Sequence, residues 1–478
     1  MKEEILIGRE RECEELKRCM ESGRSEFVIV YGRRRVGKTF LIDKYFGGAF
    51  DFTFVGGHGL KKKRQLQNFA KALRQQTSTN KQFKFDDWFD AFEALENHLD
   101  GISDVRKKVV FVDEMPWIDT QKSEFVEALE NFWNGWAARR NDIMFIASGS
   151  ASSWMMDKLV DNKGGLHARI TNSIYLRPFN LNETEKYLRN HNCYWDRYQI
   201  LQCYMLFGGV PFYLSLLDGS RSLIQNVDEL CFRKNGALRI EFEELYSAVF
   251  SQAGHYISIV KALAGHREGM CRNDISKIVG VDGGVLTRIL RNLVRCDFVS
   301  KSNMYGGKTK DSIYRLTDFY TLFYYKFIDN DTSGDEHWWS HNFLTHSVES
   351  WMGVTFELLC MMHSDQIKKA LGISGISTNM SSWRKAAGKG NGDAGSQIDL
   401  IFDRSDRMVN LCEMKFSRNM FVINRDYEEK LRERMELFKQ STRCRKSIVT
   451  TFVTTFGVAQ GIHSGIVNSE VKMDELFE

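Results

Sequence analysis

The sequence predicts a multidomain α/β protein, in which a parallel-sheet domain with a phosphate-binding loop precedes a helical region and a second α/β domain. Its 478 residues exceed one ordinary core and indicate about three domains. Near the N-terminus a strand, a glycine-containing loop and a helix follow one another, which is typical of a nucleotide-binding parallel sheet. Near the C-terminus two strands with acidic residues flank a polar turn and indicate the second α/β domain.

Composition argues against several classes of protein. Hydrophobic residues make up 43% and charged residues 27%, a globular balance, and no apolar run approaches the roughly 18 residues that span a bilayer. The start "MKEEILIGRE" lacks the order of a secretory signal, so we expect a cytoplasmic protein with no membrane partner. Ten cysteines without a C-x-x-C pair indicate free thiols. A net charge of +4 leaves nucleic-acid binding open.

The stretch "FVIVYGRRRVGKTFLIDKYF" predicts a strand over residues 27–31, a turn, and a helix from about Lys38. Its loop matches the pattern G-x-x-x-x-G-K-[ST]. In this pattern backbone N–H groups hold phosphates, Lys38 contacts the β and γ oxygens, and Thr39 binds Mg²⁺. We therefore predict ATP and Mg²⁺ as cofactors. The predicted cofactor-binding residues of the loop are Gly32, Arg33, Arg34, Arg35, Val36, Gly37, Lys38, Thr39 and Phe40.

Three consecutive arginines occupy the variable part of this loop. Because main-chain donors hold the phosphates, we expect Arg33, Arg34 and Arg35 to point outward as solvated charge near the nucleotide. Contact with the γ-phosphate or with another domain is the alternative.

The stretch "KKVVFVDEMPW" predicts a buried strand over residues 109–112 that ends in two carboxylates. Asp113 would hold Mg²⁺ and Glu114 would polarise the water that attacks the γ-phosphate. The pair favours a hydrolysing ATPase over a small-molecule kinase. After a third strand, Ser148 and Ser150 are candidates for sensing the γ-phosphate, although a serine-rich turn explains them equally well.

The middle of the chain changes character twice. Residues 179–245 predict helices, with Asn182 as an N-cap, and fit a helical lid. Residues 246–330 predict three helices followed by short strands, the layout of a winged helix. Arg288, Arg291 and Arg295 on its third helix would suit a phosphate backbone. Six aromatics within residues 318–328 indicate core packing rather than base stacking.

The stretch "GSQIDLIFDRSDRMVNLCEMKFSRN" predicts a hairpin of strands over residues 397–403 and 409–416. Glu413 and Lys415 share one face of the second strand, and Asp399 lies near Glu413 on the first. Two converging carboxylates repel each other unless a cation neutralises them, and a neighbouring lysine suits the orientation of a water molecule. The hairpin therefore predicts a Mg²⁺ site, with a cross-strand salt bridge as the alternative.

The segments "IGRERECEELKRCM", "YGRRRVGKTFLI", "VVFVDEMPW", "ASGS" and "YLRPF" resemble, in this order, the prokaryotic ATPase_2 family, P-loop ATPases related to STAND and AAA+ enzymes. The resemblance covers about the first 245 residues. It implies that Pro211, with Gly209 in "FGGVPFYL", contacts the adenine, and that "IGRE" lies near the base. It shows no clear arginine finger, with Arg169 as the nearest basic residue, so a homo-oligomer stays open.

The C-terminal hairpin resembles the PD-(D/E)xK nuclease superfamily, and the segment from about residue 246 resembles the family DUF234. The resemblance implies that Asp399 and Glu413 bind Mg²⁺ or Mn²⁺ and that Lys415 positions the attacking water. It implies that Glu357, in the helix "MGVTFELLCMM", completes the site. In related STAND enzymes a winged helix also serves as an internal clamp, so its contact with DNA stays open.

The domains predicted on these grounds are a P-loop ATPase core (1–178), a helical lid (179–245), a winged-helix connector (246–330) and a restriction-endonuclease-like α/β domain (331–478). The expected function is an ATPase that controls a metal-dependent nuclease acting on nucleic acid, with DNA favoured over RNA, in defence or mobile-element control. The alternative is an ATP-switched DNA-binding regulator whose nuclease fold is catalytically inactive.

Overall fold

The computed structural model describes residues 5–77, 82–150, 154–160, 166, 169–249, 253–307, 312–385 and 395–478. The chain divides into two compact units, residues 1–178 and residues 179–478. All ten cysteines are free. In the described part of the chain no helix combines the length and the apolar character needed to cross a membrane.

A five-stranded sheet forms the centre of the first unit. Its strands are β1 (Glu26–Tyr31), β2 (Phe52–Val55), β3 (Lys108–Asp113), β4 (Ile143–Gly149) and β5 (Asn172–Tyr175). All neighbouring strands are parallel, in the order β2-β3-β4-β1-β5. Because β4 lies between β1 and β3, the segments that follow these three strands meet at one edge of the sheet.

Both faces of this sheet are buried. In β1, Phe27 and Ile29 pack into the core on one face, while Val28 and Val30 pack on the other. Such a strand has an unbroken apolar sequence, as "FVIVY" does, because helices cover both faces of a parallel sheet. The helices of this unit include α1 (Glu10–Glu21), α2 (Lys38–Phe46), α3 (Lys62–Gln76), α4 (Trp88–Asp100) and α5 (Phe125–Asn131).

The second unit begins with helices. They are α6 (Leu181–Asn190), α7 (Arg197–Phe207), α8 (Pro211–Ser215), α9 (Leu223–Val227) and α10 (Ala237–Val249). The N-cap of α6 is Asn180, which forms a capping box with Glu183. The prediction of Asn182 as the cap was therefore wrong: Asn182 lies inside the helix and its side chain donates to the Phe477 carbonyl. Two asparagines two residues apart offer the same capping chemistry, and the capping box selects the first.

A group of three helices and three short strands follows. In chain order its members are α11 (Ala253–Ala264), β6 (Met270–Cys271), α12 (Arg272–Val279), α13 (Gly283–Arg295), β7 (Val299–Ser302) and β8 (Ile313–Leu316). The strands form an antiparallel sheet in the order β6-β8-β7. The aromatic segment after β8 is core, as predicted, because Phe319, Tyr320 and Phe323 are buried.

The C-terminal part contains a second five-stranded sheet. Its elements are α14 (Phe319–Phe323), α15 (Trp338–Asn342), α16 (His346–Met362), α17 (Ser364–Ala370), β9 (Thr378–Lys385), β10 (Ser396–Arg404), β11 (Met408–Lys415), α18 (Arg425–Thr442), β12 (Ser447–Thr454) and β13 (Ser469–Lys472). The order is β13-β12-β11-β10-β9. Strands β9, β10 and β11 are antiparallel, and β11, β12 and β13 are parallel.

One hydrophobic core extends from the first helices of the second unit to one face of its C-terminal sheet, and two smaller clusters lie beside it. It joins Tyr204 of α7, Leu290 of α13, Tyr320 of α14, Leu359 of α16 and Val453 of β12. The three segments predicted as separate domains after residue 178 therefore pack as one body. A shared core of this kind couples the stability of its parts.

Candidate functional site

The loop between β1 and α2 requires glycine at two positions. Gly32 has φ 155°, and a Cβ atom placed there would lie 2.2 Å from the Leu176 carbonyl oxygen. Gly37 has φ 86°, in the left-handed region that favours glycine. Arg35 also has a positive φ, 74°. The conformation of the loop thus depends on the two glycines of the sequence pattern.

Lys38, Thr39 and Asp113 meet at the sheet edge. The Lys38 ammonium donates to the Arg33 carbonyl at 2.9 Å and to the Gly32 carbonyl at 3.3 Å. The Thr39 hydroxyl donates to Asp113 Oδ2 at 2.7 Å, and the hydroxyl of Ser148 donates to Oδ1 of the same carboxylate. Hydroxyl and carboxylate oxygens are the hard donors that Mg²⁺ prefers, so the residues present fit this ion.

Glu114 follows Asp113 in the left-handed region, with φ 46°. Its Oε1 accepts a hydrogen bond from the Ser150 hydroxyl at 2.7 Å, and the backbone N–H of Ser150 lies 3.4 Å from Oε2. The two serines predicted as sensors therefore contact the two carboxylates: Ser148 binds Asp113 and Ser150 binds Glu114. The end of β4 orients Asp113 through Ser148, and the residue that follows the strand, Ser150, orients Glu114.

The three arginines of the loop differ from one another. Arg33 is 3% exposed, whereas Arg34 and Arg35 are partly exposed. The prediction that all three side chains are solvated was therefore wrong for Arg33. Its backbone carbonyl accepts from Lys38, so residue 33 lies on the inner side of the turn.

Two further basic residues of this unit belong to segments that the sequence predicts near the nucleotide. Arg9 of the "IGRE" segment is buried and donates to the Val36 carbonyl at 3.4 Å, which brings this segment to the phosphate loop. Arg169 has an exposed side chain. In the second unit, Pro211 begins α8, and Gly209 packs so closely on Phe179 that a Cβ atom would lie 1.8 Å from its carbonyl oxygen.

The second candidate site lies on the hairpin of β10 and β11. Leu400 faces Cys412 in this antiparallel pair, so the next step of the ladder brings Asp399 opposite Glu413. Glu413 and Lys415 share a face, as predicted, and Lys415 Nζ lies 2.8 Å from Glu413 Oε1.

Glu413 is closely bound by neighbouring side chains. Arg434 of α18 donates to Glu413 Oε2 at 2.5 Å, and the Tyr427 hydroxyl donates to Oε1. Burial raises the pKa of Glu413, but the positive charges of Lys415 and Arg434 more than offset this and hold the pKa below its usual range. Burial lowers the pKa of Lys415, and the contacts with Glu413 and Tyr427 more than offset this, so its pKa lies above its usual range.

Asp399 and Glu357 complete the cluster. Asp399 Oδ1 accepts from the Gln397 amide at 2.8 Å and from Arg315 at 3.3 Å. Glu357, on α16, lines the same cavity as Asp399. Burial, followed by the negative charge of Asp399, raises the pKa of Glu357 to about 7. The structure thus brings together the four residues that the sequence predicts for this site.

The cluster offers the donors of a divalent cation but not a preformed cage. Carboxylate oxygens suit Mg²⁺ and Mn²⁺. Within the described ranges, however, no group of three or more His, Cys, Asp or Glu residues is arranged to hold a metal ion. Arginine and lysine side chains occupy carboxylate oxygens that a metal would use. The donor chemistry therefore fits the cation, and the protein's own cations compete with it.

Three residues of the cluster were not predicted from the sequence. Tyr427 and Arg434 lie seven residues apart on α18, two helical turns, and this spacing places both on the face toward Glu413. This seven-residue spacing could have predicted the shared face once the helix had been recognised in the sequence. Arg315, in the strand sequence "IYRL", carries no such signal, because its contact with Asp399 joins elements 84 positions apart.

Comparison with known proteins supports the interpretation of the first unit as a nucleotide-binding domain. Residues 6–217 match the ATPase_2 family model, described as an ATPase domain predominantly from Archaea. An uncharacterized protein of Methanocaldococcus jannaschii, MJECL04, is 24% identical over 336 residues, which are 70% of this chain and 71% of that protein. The uncharacterized ATP-binding protein MJ0423 of the same organism is 44% identical over 41 residues, 9% of this chain and 70% of its own.

Among solved structures, the Walker-type ATPase PABY2304 of Pyrococcus abyssi is similar, with a TM-score of 0.50 and 16% identity over 67% of this chain and 96% of its own. The likeness concerns the fold. The likeness shows the parallel-sheet α/β fold, and the family match and the loop geometry support a P-loop ATPase domain in residues 6–217.

Proposed function

We propose that this chain is an ATPase whose nucleotide state controls a metal-dependent nuclease centre in residues 331–478. The observation that carries the proposal is the convergence of Glu357, Asp399, Glu413 and Lys415, supplied in order by a helix and an antiparallel hairpin. A binding module has no need to bring three carboxylates and a lysine together in a partly buried place, because desolvation of charged groups is unfavourable and clusters with perturbed pKa values are typical of functional sites.

In the ATPase unit, Lys38 moves from the loop carbonyls to the β and γ oxygens of ATP, and backbone N–H groups of residues 32–40 hold the phosphates. Thr39 and Asp113 hold Mg²⁺, which neutralises charge on those oxygens when bound. Glu114 polarises the attacking water, and the Ser150 hydroxyl at 2.7 Å keeps this carboxylate in position. Ser148 supports Asp113 from the neighbouring strand.

In the nuclease centre, Asp399 and Glu413 hold Mg²⁺ or Mn²⁺, which acts as a Lewis acid on the phosphodiester when bound. Lys415 orients the attacking water and stabilises developing negative charge, since it stays protonated beside Glu413. Tyr427 and Arg434 position Glu413. Glu357 completes the network from α16.

Nucleic acid is the substrate that these features favour, with DNA proposed ahead of RNA. The α11–β8 group has the element order and antiparallel sheet of a winged helix. On its third helix Arg288 and Arg291 are exposed on one face, where they suit contact with a phosphate backbone.

The test is degradation of single- and double-stranded DNA and RNA by the purified protein, with Mg²⁺ or Mn²⁺ and with or without ATP. Asp399→Asn is expected to abolish cleavage, and Lys38→Ala is expected to abolish its response to ATP. Asp403→Asn is the matched control, because Asp403 lies on the same strand and pairs with Lys446 outside the cluster. Equal cleavage by all four proteins would reject the proposal.

One observation favours a second candidate function, an ATP-switched nucleic-acid-binding regulator with an inactive nuclease fold. Arg315 and Arg434 neutralise the two carboxylates that would bind the metal. If these ion pairs are permanent, the two carboxylates are already neutralised and need no metal ion. In that case the protein binds nucleic acid with an affinity that depends on ATP and cleaves none of the substrates with either cation.

A further inference from the structure

The two proposed metal ligands are held with very different strength. Glu413 is bound at 2.5 Å by Arg434 and at 2.8 Å by Lys415, both from its own sheet and the helix that covers it. Among the described residues, the cation that binds Asp399 is Arg315, at 3.3 Å, and Arg315 belongs to the three-stranded sheet that precedes this fold. Asp399 is therefore the loosely held ligand.

Arg315 is poorly satisfied where it lies. Its other contacts are the Met361 sulfur, a weak acceptor, at 2.9 Å and the Glu268 carbonyl at 3.3 Å. Its Nε is buried and finds no hydrogen-bond acceptor among the described residues. A guanidinium has five N–H donors, and a buried donor that lacks an acceptor is unfavourable. A better acceptor that reached Arg315 would therefore draw it away from Asp399.

Two cavities beside Arg315 offer space for such an acceptor. Arg315 and Asp399 together line a cavity of about 670 Å³ and a second one of about 650 Å³. The first is also lined by Arg267 and Lys326, and the second by Arg384. Each cavity thus combines basic side chains with the volume of a nucleotide-sized ligand. Both cavities are open to the Arg315 guanidinium, because this residue lines each of them.

We propose that Arg315 competes with a divalent cation for Asp399, and that a phosphodiester group of a nucleic-acid strand releases Asp399 by binding the Arg315 guanidinium. The inference deepens the proposed function and rests on it. A phosphodiester presents two anionic oxygens that match the guanidinium fork, whereas Asp399 meets that fork with one long contact.

Strand binding and metal binding are then coupled through one side chain. Coupling of this kind is reciprocal: the strand tightens metal binding by the same factor by which the metal tightens strand binding. Asp399 becomes more available to a metal ion when a strand is present. Arg315 acts as a positioning residue, because it exchanges between a carboxylate and a phosphate.

The experiment is calorimetric titration of Mn²⁺ into the nucleotide-free full-length protein. Arg315→Gln is expected to tighten Mn²⁺ binding about tenfold. Arg315→Lys keeps the positive charge but loses the forked N–H groups of the guanidinium, so it is expected to tighten Mn²⁺ binding by a smaller factor. Arg384→Gln is the matched control: it removes the same charge from the second cavity without touching Asp399, and it is expected to change nothing. Adding Asp399→Asn to Arg315→Gln is expected to abolish the gain.

A second titration contains a saturating phosphorothioate oligothymidylate, with its own Mn²⁺ uptake subtracted. The strand is expected to tighten Mn²⁺ binding by the wild type about tenfold and to have no further effect in Arg315→Gln. Inorganic phosphate at the same phosphorus concentration is expected to have no effect. Unchanged Mn²⁺ affinity in Arg315→Gln, an equal strand effect in both proteins, or an equal effect of inorganic phosphate would overturn the inference.

These results are separable from the fate of the nuclease. Tighter Mn²⁺ binding by Arg315→Gln without cleavage supports the competition and rejects the nuclease. Cleavage by both proteins with equal Mn²⁺ affinity supports the nuclease and overturns the competition. The unfolding midpoint of each variant, measured in the same buffer, shows whether the substituted protein is folded.

Discussion

Replacing Glu357 by glutamine is expected to stabilise the protein at alkaline pH while it damages the proposed nuclease centre. Glu357 lies in the cluster of Asp399, Glu413 and Lys415, and its pKa is raised to about 7 by burial and by Asp399. An ionised carboxylate at this position is unfavourable unless a metal compensates it. Glutamine has nearly the same shape and cannot ionise.

The magnitude follows from the difference in pKa between folded and unfolded chains. The pKa of Glu357 rises from 4.5 to about 7, and each pKa unit corresponds to about 1.4 kcal/mol, so the full effect is about 3 kcal/mol. Below pH 4.5 the group is protonated in both states and contributes nothing. As pH rises from 4.5 to 7 the unfolded chain loses its proton first, so stability falls, and above pH 7 the loss is complete.

The assay is thermal unfolding between pH 5 and 8.5 in metal-free buffer containing a chelator. Glu357→Gln is expected to match the wild type near pH 5 and to exceed its midpoint by about 6 °C at pH 8. Glu349→Gln on the same helix is the control, since that carboxylate is half-exposed and lies outside the cluster; its effect is expected to be small throughout. A difference between Glu357→Gln and wild type that is constant over the pH range would refute the reasoning.

Three further predictions follow from single contacts. Glu114→Gln is expected to bind ATP with normal affinity and to hydrolyse it at least about a hundredfold more slowly, measured by phosphate release. Gly32→Ala is expected to abolish ATP-dependent thermal stabilisation, because the new Cβ would lie 2.2 Å from the Leu176 carbonyl oxygen. Burial lowers the pKa of His363 to about 4, so the protein is expected to lose about 3 kcal/mol of stability as pH falls from 6.5 to 4. Denaturant titrations should show a smaller pH-dependent loss for His363→Gln, because glutamine does not ionise in this range, although loss of the ring that accepts from the Leu181 N–H lowers stability at every pH.

The phosphate loop could be predicted from sequence because its signal is local. Gly32 and Gly37 are dictated by backbone geometry, and Lys38 follows them directly in the chain. The position of Asp113 could be predicted because the apolar run of a buried strand ends where polar residues begin. The burial of Arg33 was not predictable, because the direction of a side chain in a turn depends on what packs against it.

The second unit shows the same division between local and long-range signals. The face shared by Glu413 and Lys415 follows from the two-residue period of a strand. The contact of Arg315 with Asp399 depends on how one sheet packs against another, and no spacing in the sequence encodes it. The shared core of this unit was missed for a similar reason: turn-rich segments between elements look like domain boundaries whether or not the elements pack together.

Arg315 limits the entry of a metal ion under both candidate functions. The carboxylates of Asp399 and Glu413 contact three cationic side chains, Arg315, Lys415 and Arg434, so positive charge already occupies oxygens that a divalent cation would bind. Metal entry therefore requires one cation to leave. Lys415 and Arg434 are bound at 2.8 and 2.5 Å, which leaves Arg315 as the one able to move. An inactive fold that binds nucleic acid also offers Arg315 a phosphate, so the strand effect on Mn²⁺ affinity tests the coupling and not the chemistry. Cleavage by the wild type with Mg²⁺ or Mn²⁺, lost in Asp399→Asn, decides between the two functions.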